Sequence, residues 1–157
     1  MLKEKDRLGR IKLLALDFDG VMTDGFVYTD QEGREPVRCS RKDGLGIEML
    51  KQAGVHVTVI SKESNAVVKM RCKKLHIPCE QNVFDGEGKA SILKRIVEEK
   101  SLSMEEVAYM GDDLNDEAVL QCVGIGVIPS DGHKKLKEIA DVITAAKGGD
   151  HAVREVS

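Results

Sequence analysis

The chain has 157 residues, of which 41% are hydrophobic and 32% charged, and its formal net charge is −3. This composition predicts one domain spanning residues 1–157, large enough to bury a hydrophobic core. The negative charge and the aromatic content of 3% exclude the basic, aromatic-rich surface typical of nucleic-acid binding. No apolar run approaches the ~20 residues that span a bilayer, and the charged first ten residues lack the apolar core of a signal peptide. We therefore expect a cytoplasmic protein without a membrane partner.

Short apolar runs alternate with longer stretches of helical periodicity along the chain. The apolar runs are residues 11–16, 55–60, 107–110 and 124–128. They are nearly continuous and lack clean polar alternation, as strands covered on both faces do. Between them, apolar stripes at helical spacing are formed by Leu45, Met49 and Ala53, by Val68, Cys72 and Leu75, and by Ile92, Leu93, Ile96 and Val97. This alternation predicts an α/β fold, a Rossmann-like open parallel sheet with helices on both faces.

One segment, residues 25–39, interrupts the alternation. Its sequence, "GFVYTDQEGREPVRC", is typical of two short strands joined around Asp30-Gln31-Glu32-Gly33. We expect a β-hairpin inserted directly after the first strand. No other insertion is long enough for a second domain, so we expect no cap domain.

Polar side chains follow three of the predicted strands. Asp17 and Asp19 follow the first strand, Ser61 follows the second, and Asp112 and Asp113 follow the run at 107–110. In open parallel sheets, ligands bind in the crevice beyond the carboxyl ends of the strands. These residues are therefore predicted to meet at one edge of the sheet.

The aspartates of "DFDG" permit two interpretations. Asp17 and Asp19 stand two positions apart and would face one site from an extended segment, whereas a lone DxD is more often a solvated turn. The second acidic cluster at Asp112 favours a site, because carboxylates brought together repel each other unless a cation neutralises them. Oxygen ligands suit Mg²⁺, and the four cysteines and four histidines lack the spacing of a zinc site.

Ser61 and Lys89 add groups that can bind phosphate oxygens. A hydroxyl at a strand end and an ammonium group are suitable donors, although each residue alone is commonplace on a protein surface. Their value lies in the order Asp-x-Asp, Ser, Lys, Gly-Asp-Asp along the chain. With Mg²⁺, this set could hold a phosphoryl group and attack it with a carboxylate.

Four motifs carry a resemblance to a known family. They are "LDFDG" (16–20), "VIS" (59–61), the lysine of "GEGKASIL", and "GDDLND" (111–116). In this order they resemble the haloacid dehalogenase superfamily of phosphatases. "KDGLGIEML" (42–50) and "GGDHAVREV" (148–156) are similar to its capless branch, which contains 3-deoxy-manno-octulosonate 8-phosphate phosphatase, nonulosonate 9-phosphate phosphatases and the phosphatase domain of bacterial N-acylneuraminate cytidylyltransferases.

The resemblance implies a role for each catalytic residue. Asp17 would be the nucleophile that forms an aspartyl-phosphate. Asp19 would be the general acid for the sugar leaving group and then the base that activates water. Ser61 and Lys89 would hold the phosphoryl oxygens. The spacing of the two aspartates alone does not assign these roles.

The resemblance also implies the ligands of the Mg²⁺ cofactor. Asp17, Asp112 and the backbone carbonyl of Asp19 would bind the ion, with Asp113 or Asp116 in support. The expected reaction is hydrolysis of the phosphate monoester of a 2-keto-3-deoxy sugar acid.

The resemblance also implies an assembly and a substrate. Members of the branch form homotetramers through the hairpin after the first motif, and Arg71 and Lys74 would reach a neighbouring site and meet the sugar carboxylate. The same two residues also suit a solvated basic helix face.

After Ser61, this chain has Lys62-Glu63 where the octulosonate phosphatases carry Gly-Arg. Glu63 as a substrate-binding residue is more similar to the enzymes for nine-carbon, sialic-acid-like phosphates.

Two other functions were weighed. The chain could be a non-catalytic oligomerisation or regulatory domain of an N-acylneuraminate cytidylyltransferase, as a fused domain or a partner, but all the motif residues of the catalytic members are present. A signalling receiver domain uses similar residues in another order, with its acidic pair first. Here the second acidic cluster follows Lys89, which disfavours a receiver.

Overall fold

The computed structural model describes residues 2–83 and 86–157. Its centre is a six-stranded sheet in which every pair of neighbouring strands is parallel. The strands are β1 (Leu13–Leu16), β2 (His56–Ile60), β3 (Cys79–Glu80), β4 (Val107–Met110), β5 (Ile125–Ile128) and β6 (Val142–Ile143). Their order across the sheet is β3-β2-β1-β4-β5-β6. This is the doubly wound order of Rossmann folds, and it confirms the predicted fold class.

Helices cover both faces of the sheet. They are α1 (Leu2–Arg10), α2 (Arg41–Gln52), α3 (Ala66–Leu75), α4 (Gly86–Glu99), α5 (Glu117–Leu120) and α6 (Ala152–Glu155). Ser40 caps the first turn of α2 by accepting hydrogen bonds from two backbone N–H groups. Gly54, at φ +84°, follows the end of α2 in the left-handed conformation that commonly closes a helix. Within the described ranges, no helix has both the length and the apolarity to cross a bilayer.

Every residue of the central strand β1 is apolar, because the strand is covered on both faces. Leu14 and Leu16 belong to the core on one face of the sheet, together with side chains of α2, α3 and α6. Leu13 and Ala15 belong to the core on the other face, together with side chains of α4 and α5. All four residues are buried, because a strand covered by helices on both sides has no solvent-facing positions.

The predicted apolar face of α2 is wrong. Leu45 and Met49 are 52% and 42% exposed, whereas Ile47 is buried. The helix is rotated so that Gly46 packs against α6, where a Cβ atom would lie 3.2 Å from Arg154 Cα and 2.6 Å from Oγ of Ser157 just beyond the helix. The small residue brings the two helices close together, and Ile47 then faces the core.

The inserted segment after β1 turns back on itself. Gly33 N–H donates to Asp30 O at the tip, and Tyr28 N–H donates to Pro36 O between the two arms. An antiparallel bridge between Thr23 and Cys39 closes the base. The path is that of the predicted hairpin, but residues 25–38 form no regular strand.

Candidate active site

A cleft lies beyond the carboxyl ends of β1, β2 and β4, with a volume of about 510 Å³. The sheet order reverses between β1 and β4, and such switch points are where doubly wound folds bind ligands. The residues lining the cleft are Asp17, Asp19, Gly25, Ser61, Lys62, Glu63, Asp112, Asp113, Leu114 and Asn115. The predicted meeting of polar residues from three strand ends is therefore present.

Asp17 lies at the base of the cleft and is 6% exposed. One carboxylate oxygen accepts a hydrogen bond of 2.7 Å from the Phe18 N–H, and the other pairs with Lys89 Nζ at 2.8 Å. Burial raises the pKa of Asp17 well above its ordinary value, and repulsion from Asp116 adds to this, while Lys89 opposes both. The carboxylate is thus fixed in one orientation by two donors.

Beneath Asp17 lies a fully buried network centred on Asp116. Its Oδ1 atom accepts from Lys89 Nζ at 2.8 Å and from the Tyr109 hydroxyl at 2.6 Å. Its Oδ2 atom accepts from the Asp112 N–H at 2.9 Å. Burial acts to lower the pKa of Lys89, but the two carboxylates outweigh it and the pKa is raised. Lys89 therefore carries its positive charge, and both oxygens of Asp116 are occupied.

Asp112 faces Asp17 from the end of β4. Burial raises the pKa of Asp112 to about 7, with further contributions from Asp116 and Asp113. Gly20 permits the approach of the two loops, since a Cβ atom there would overlap the Asp112 carboxylate. A larger residue at position 20 would push the two acidic loops apart.

The carboxylates fit a divalent metal ion. Oxygen atoms of Asp17, Asp112 and Asp116 all lie within 4.8 Å of one another. Three carboxylates beside the single ammonium group of Lys89 leave two uncompensated negative charges in a buried region, which a divalent cation with a preference for oxygen ligands would neutralise. Asp17 and Asp112 line the cleft, whereas Asp116 is fully buried beneath it, so Asp17 and Asp112 are the side chains placed to bind the ion.

Asp19 stands at the side of the cleft, half-buried. Burial raises the pKa of Asp19, and the nearby Glu63 adds to the shift. Its Oδ1 atom accepts a hydrogen bond of 3.4 Å from the Thr23 hydroxyl. Among the two aspartates of "DFDG", Asp17 is thus paired with a cation and Asp19 with a neutral hydroxyl.

The remaining predicted residues fall into two groups. Ser61 is buried and its hydroxyl accepts from the Glu63 N–H at 3.1 Å, and both residues line the cleft. Arg71 donates to the Ser40 carbonyl at 2.9 Å, and Lys74 is exposed on α3. Neither Arg71 nor Lys74 is among the described residues that line this cleft.

Asp113 has a structural role in this arrangement. Its Oδ1 atom accepts from the Leu114 N–H at 2.7 Å and begins the short 3-10 turn Leu114–Asp116. This turn returns the chain so that Asp116 can reach Lys89.

The glycines of "GGDHAVREV" support the first acidic loop from behind. Gly149 N–H donates to Val21 O at 2.9 Å. A Cβ atom on Gly148 would overlap the Gly20 carbonyl, and one on Gly149 would overlap the backbone of Thr23. The segment after residue 147 therefore packs directly against the loop that carries Asp17 and Asp19. Sequence reasoning recognised this motif without a physical role, and it missed Tyr109 and Thr23.

Comparison with known proteins agrees with this geometry. The haloacid dehalogenase-like hydrolase family matches residues 81–156. The chain is 36% identical over 147 residues to the 3-deoxy-D-manno-octulosonate 8-phosphate phosphatase of Escherichia coli K12, covering 93% of this chain and 77% of the relative. These similarities show that the chain belongs to the haloacid dehalogenase-like hydrolases, as predicted.

Two solved structures are similar to this chain in both fold and sequence. One is the octulosonate 8-phosphate phosphatase of Moraxella catarrhalis, solved in complex with magnesium ion, phosphate ion and KDO. It superimposes with a TM-score of 0.93 at 34% sequence identity, and the match covers 99% of this chain and 88% of that chain. The Yersinia pestis phosphatase of the same name has a TM-score of 0.91 and 35% identity, covering 96% and 80%. Within its family, the chain is a phosphoric monoester hydrolase, the predicted enzyme class.

Proposed function

We propose that the chain is a Mg²⁺-dependent phosphatase that hydrolyses the phosphate monoester of a 2-keto-3-deoxy sugar acid. The observation that carries this proposal is the pairing of buried Asp17 with Lys89 at the base of a cleft that also presents Ser61 and Asp112. A carboxylate oriented by a cation is suited to nucleophilic attack on phosphorus. The names of the relatives support a sugar-acid phosphate as the substrate.

Asp17 is the nucleophile in this proposal. A carboxylate oxygen of Asp17 forms a bond to phosphorus while the bond between phosphorus and the sugar oxygen breaks, and the bonding electron pair leaves with the sugar oxygen. The Phe18 N–H and Lys89 hold the carboxylate in place for this attack. Lys89 also places a positive charge where phosphoryl oxygens gather, and the Ser61 hydroxyl donates to one of them.

Asp19 transfers the protons. As a general acid it donates a proton to the leaving sugar oxygen, and the resulting carboxylate then accepts a proton from water. The oxygen of that water attacks phosphorus, which breaks the bond to Asp17 and releases phosphate. The raised pKa of Asp19, caused first by burial, supports its starting as the acid.

The metal site completes the proposal. Asp17, Asp112 and the backbone carbonyl of Asp19 would hold Mg²⁺, with Asp113 at the edge of the site. Asp116 supports this site by fixing Lys89 and the Asp112 backbone. When bound, the ion supplies positive charge that offsets both carboxylate repulsion and the charge of the phosphate group.

The proposed assembly is a homotetramer. Phe26, Val27 and Tyr28 on the inserted segment are 76%, 46% and 71% exposed, and clustered exposed apolar side chains favour a protein interface. In such an assembly, Arg71 and Lys74 would bind the sugar carboxylate in a neighbouring cleft.

The length of the sugar is the open choice within the proposal. The relatives named above act on an octulosonate 8-phosphate by name, whereas Lys62-Glu63 at the cleft is similar to enzymes for nine-carbon acids. We propose Glu63 as the residue that contacts the far part of the sugar, because it lines the cleft and is exposed there.

The test is release of phosphate from octulosonate 8-phosphate and nonulosonate 9-phosphate with Mg²⁺. We expect turnover of at least one substrate, loss of turnover with a chelator, and recovery when Mg²⁺ is restored. Absence of turnover of both substrates would contradict this substrate class, and absence of turnover of every phosphate monoester tried would favour the non-catalytic domain of a cytidylyltransferase. Replacing Glu63 with Gly or Arg should change the ratio of the two rates, and an unchanged ratio would remove its role in selection.

A further inference from the structure

Thr23 is a fully buried polar residue that the proposed mechanism does not use. It lies in the first acidic loop, four residues after Asp19, and its hydroxyl donates to Asp19 Oδ1 at 3.4 Å. The same hydroxyl oxygen accepts from the Gly20 N–H at 3.3 Å and from the Gly25 N–H at 3.1 Å. Three polar groups of one loop therefore meet at this side chain.

The hydrogen-bonding capacity of a hydroxyl makes this arrangement directional. A threonine hydroxyl has one proton and two lone pairs. The N–H groups of Gly20 and Gly25 occupy both lone pairs, so the single proton has Asp19 Oδ1 as its partner. Asp19 Oδ1 consequently accepts, and it finds no free lone pair on Thr23 to which it could donate.

The backbone of Thr23 is also held from several sides. Its N–H donates to Phe18 O at 3.1 Å, and an antiparallel bridge joins it to Cys39. Gly149 packs so closely that a Cβ atom there would overlap the Thr23 carbonyl. The hydroxyl is thus a fixed donor, which is the property that a positioning group requires.

We infer that Thr23 is a positioning residue that directs the acid proton of Asp19 onto Oδ2, the oxygen that Thr23 leaves free. This inference rests on the proposed function, because it assigns a partner to the proposed general acid. A fixed proton position keeps the carboxyl group oriented so that it can protonate the leaving oxygen. Without the Thr23 hydroxyl, either carboxyl oxygen carries the proton and the side chain turns more freely.

The dependence of activity on the leaving group tests this inference. A sugar alkoxide is a strongly basic leaving group that needs a proton, whereas 4-nitrophenolate departs without one. The comparison therefore uses kcat/KM for octulosonate 8-phosphate and for 4-nitrophenyl phosphate, since this constant covers the steps up to transfer of the phosphoryl group. Both substrates use the same nucleophile and the same metal ion.

Thr23→Val removes the hydroxyl at nearly constant shape. We expect it to lower kcat/KM for the sugar phosphate at least about tenfold, part of the 10²–10⁴-fold that general acid catalysis contributes. The value for 4-nitrophenyl phosphate should fall less than about threefold, which would also show that the variant is folded. Thr23→Ser keeps the hydroxyl and should recover most of the sugar phosphate activity.

Thr58→Val is the matched control. Thr58 is also buried, and its hydroxyl donates to Pro78 O at 3.4 Å, within the sheet. It should leave the ratio of the two kcat/KM values unchanged. Equal losses on both substrates for Thr23→Val, or no loss on either, would overturn the inference. If the native protein hydrolyses 4-nitrophenyl phosphate and no sugar-acid phosphate, the proposed substrate fails; if it hydrolyses neither, the proposed function fails.

Discussion

Two adjacent segments of the chain depart from the usual distribution of polar and apolar residues in opposite ways. In the acidic loop, residues 17–24, Asp17 and Thr23 are buried. In the inserted segment that follows, Phe26 and Tyr28 are 76% and 71% exposed. The first segment thus places charge in the interior, and the second places aromatic side chains in solvent.

Both arrangements are unfavourable for folding alone. A buried carboxylate is costly unless it is paired, and an exposed aromatic cluster invites association. In the acidic loop, the energetic cost of burying Asp17 is offset by Lys89, by the Phe18 N–H and by the proposed cation. This arrangement is suited to binding a small charged group. In the proposed homotetramer, the inserted segment would have its partner outside the chain, on another protein surface.

Replacing Asp17 should have the largest effect on activity. We expect Asp17→Asn to lower kcat about 10⁴-fold or more, because the proposed nucleophile is lost. Asp24→Asn, at the other end of the loop, breaks a surface ion pair with Arg38 and should change kcat less than about threefold. Phosphate release measures both. Similar losses in the two variants would show that the loop responds as a structural unit and that Asp17 has no special role.

Removing Lys89 should have the next largest effect, on stability. Lys89→Met leaves Asp17 and Asp116 buried without a cation, and we expect the free energy of unfolding to fall by about 3–5 kcal/mol. Lys62→Met, at the exposed edge of the same cleft, should change it by less than about 0.5 kcal/mol. Urea unfolding without metal measures both values. Equal stability of the two variants would contradict the assigned role of the buried network.

Changing the inserted segment should affect assembly. Phe26→Ser combined with Tyr28→Ser removes two exposed aromatic side chains, and we expect the dissociation constant of the assembly to rise about 100-fold. Sedimentation of dilution series measures it. Leu45→Ser on α2, a residue 52% exposed, is the control and should leave assembly unchanged. An unchanged dissociation constant in the double variant would exclude this segment from the interface.

The affinity for Mg²⁺ should depend on pH through Asp112. Its pKa of about 7 without metal means that a proton occupies the carboxylate below that pH. We therefore expect the Mg²⁺ affinity to fall about fivefold from pH 7 to pH 6 and to level off above about pH 8. Calorimetric titration measures it, and Asp112→Asn should bind more weakly with less pH dependence. A native affinity that is flat over this range would contradict the prediction.

The same shift affects stability without metal, and the sign follows from proton binding. The folded protein holds the Asp112 proton more tightly than the unfolded chain, whose carboxyl has the ordinary pKa of 3.8. The stability contributed by this proton is present at low pH and is lost as the pH rises from about 4 to about 7. Thermal unfolding of the metal-free protein, with Asp112→Asn for comparison, should show this trend.

Much of the fold follows from the sequence because the central strands are long enough to show a pattern. β1, β2, β4 and β5 lie within the four near-continuous apolar runs of the sequence. The edge strands Cys79–Glu80 and Val142–Ile143 have two residues each, which is too short for any periodicity. The rotation of α2 depends on the contact of Gly46 with Ser157, which no local pattern contains.

The site also contains residues that the sequence predicts and residues that it does not. Asp17, Ser61 and Asp112 could be predicted because each follows a strand, and parallel strands end at one edge. Tyr109 and Thr23 could not be predicted, since each is an ordinary buried residue until the fold brings a carboxylate to its hydroxyl. Their roles depend on turns of the chain that bring side chains four and seven residues apart within hydrogen-bonding distance, which composition and spacing do not encode.

The close contact of Gly148 with Gly20 has a consequence for synthesis. The glycines that support the acidic loop are made more than one hundred residues after it. At about 5–20 residues per second, this interval lasts on the order of ten seconds. During that time the loop lacks the contact with Gly148 and Gly149, so a segment made much later completes the packing of the first motif.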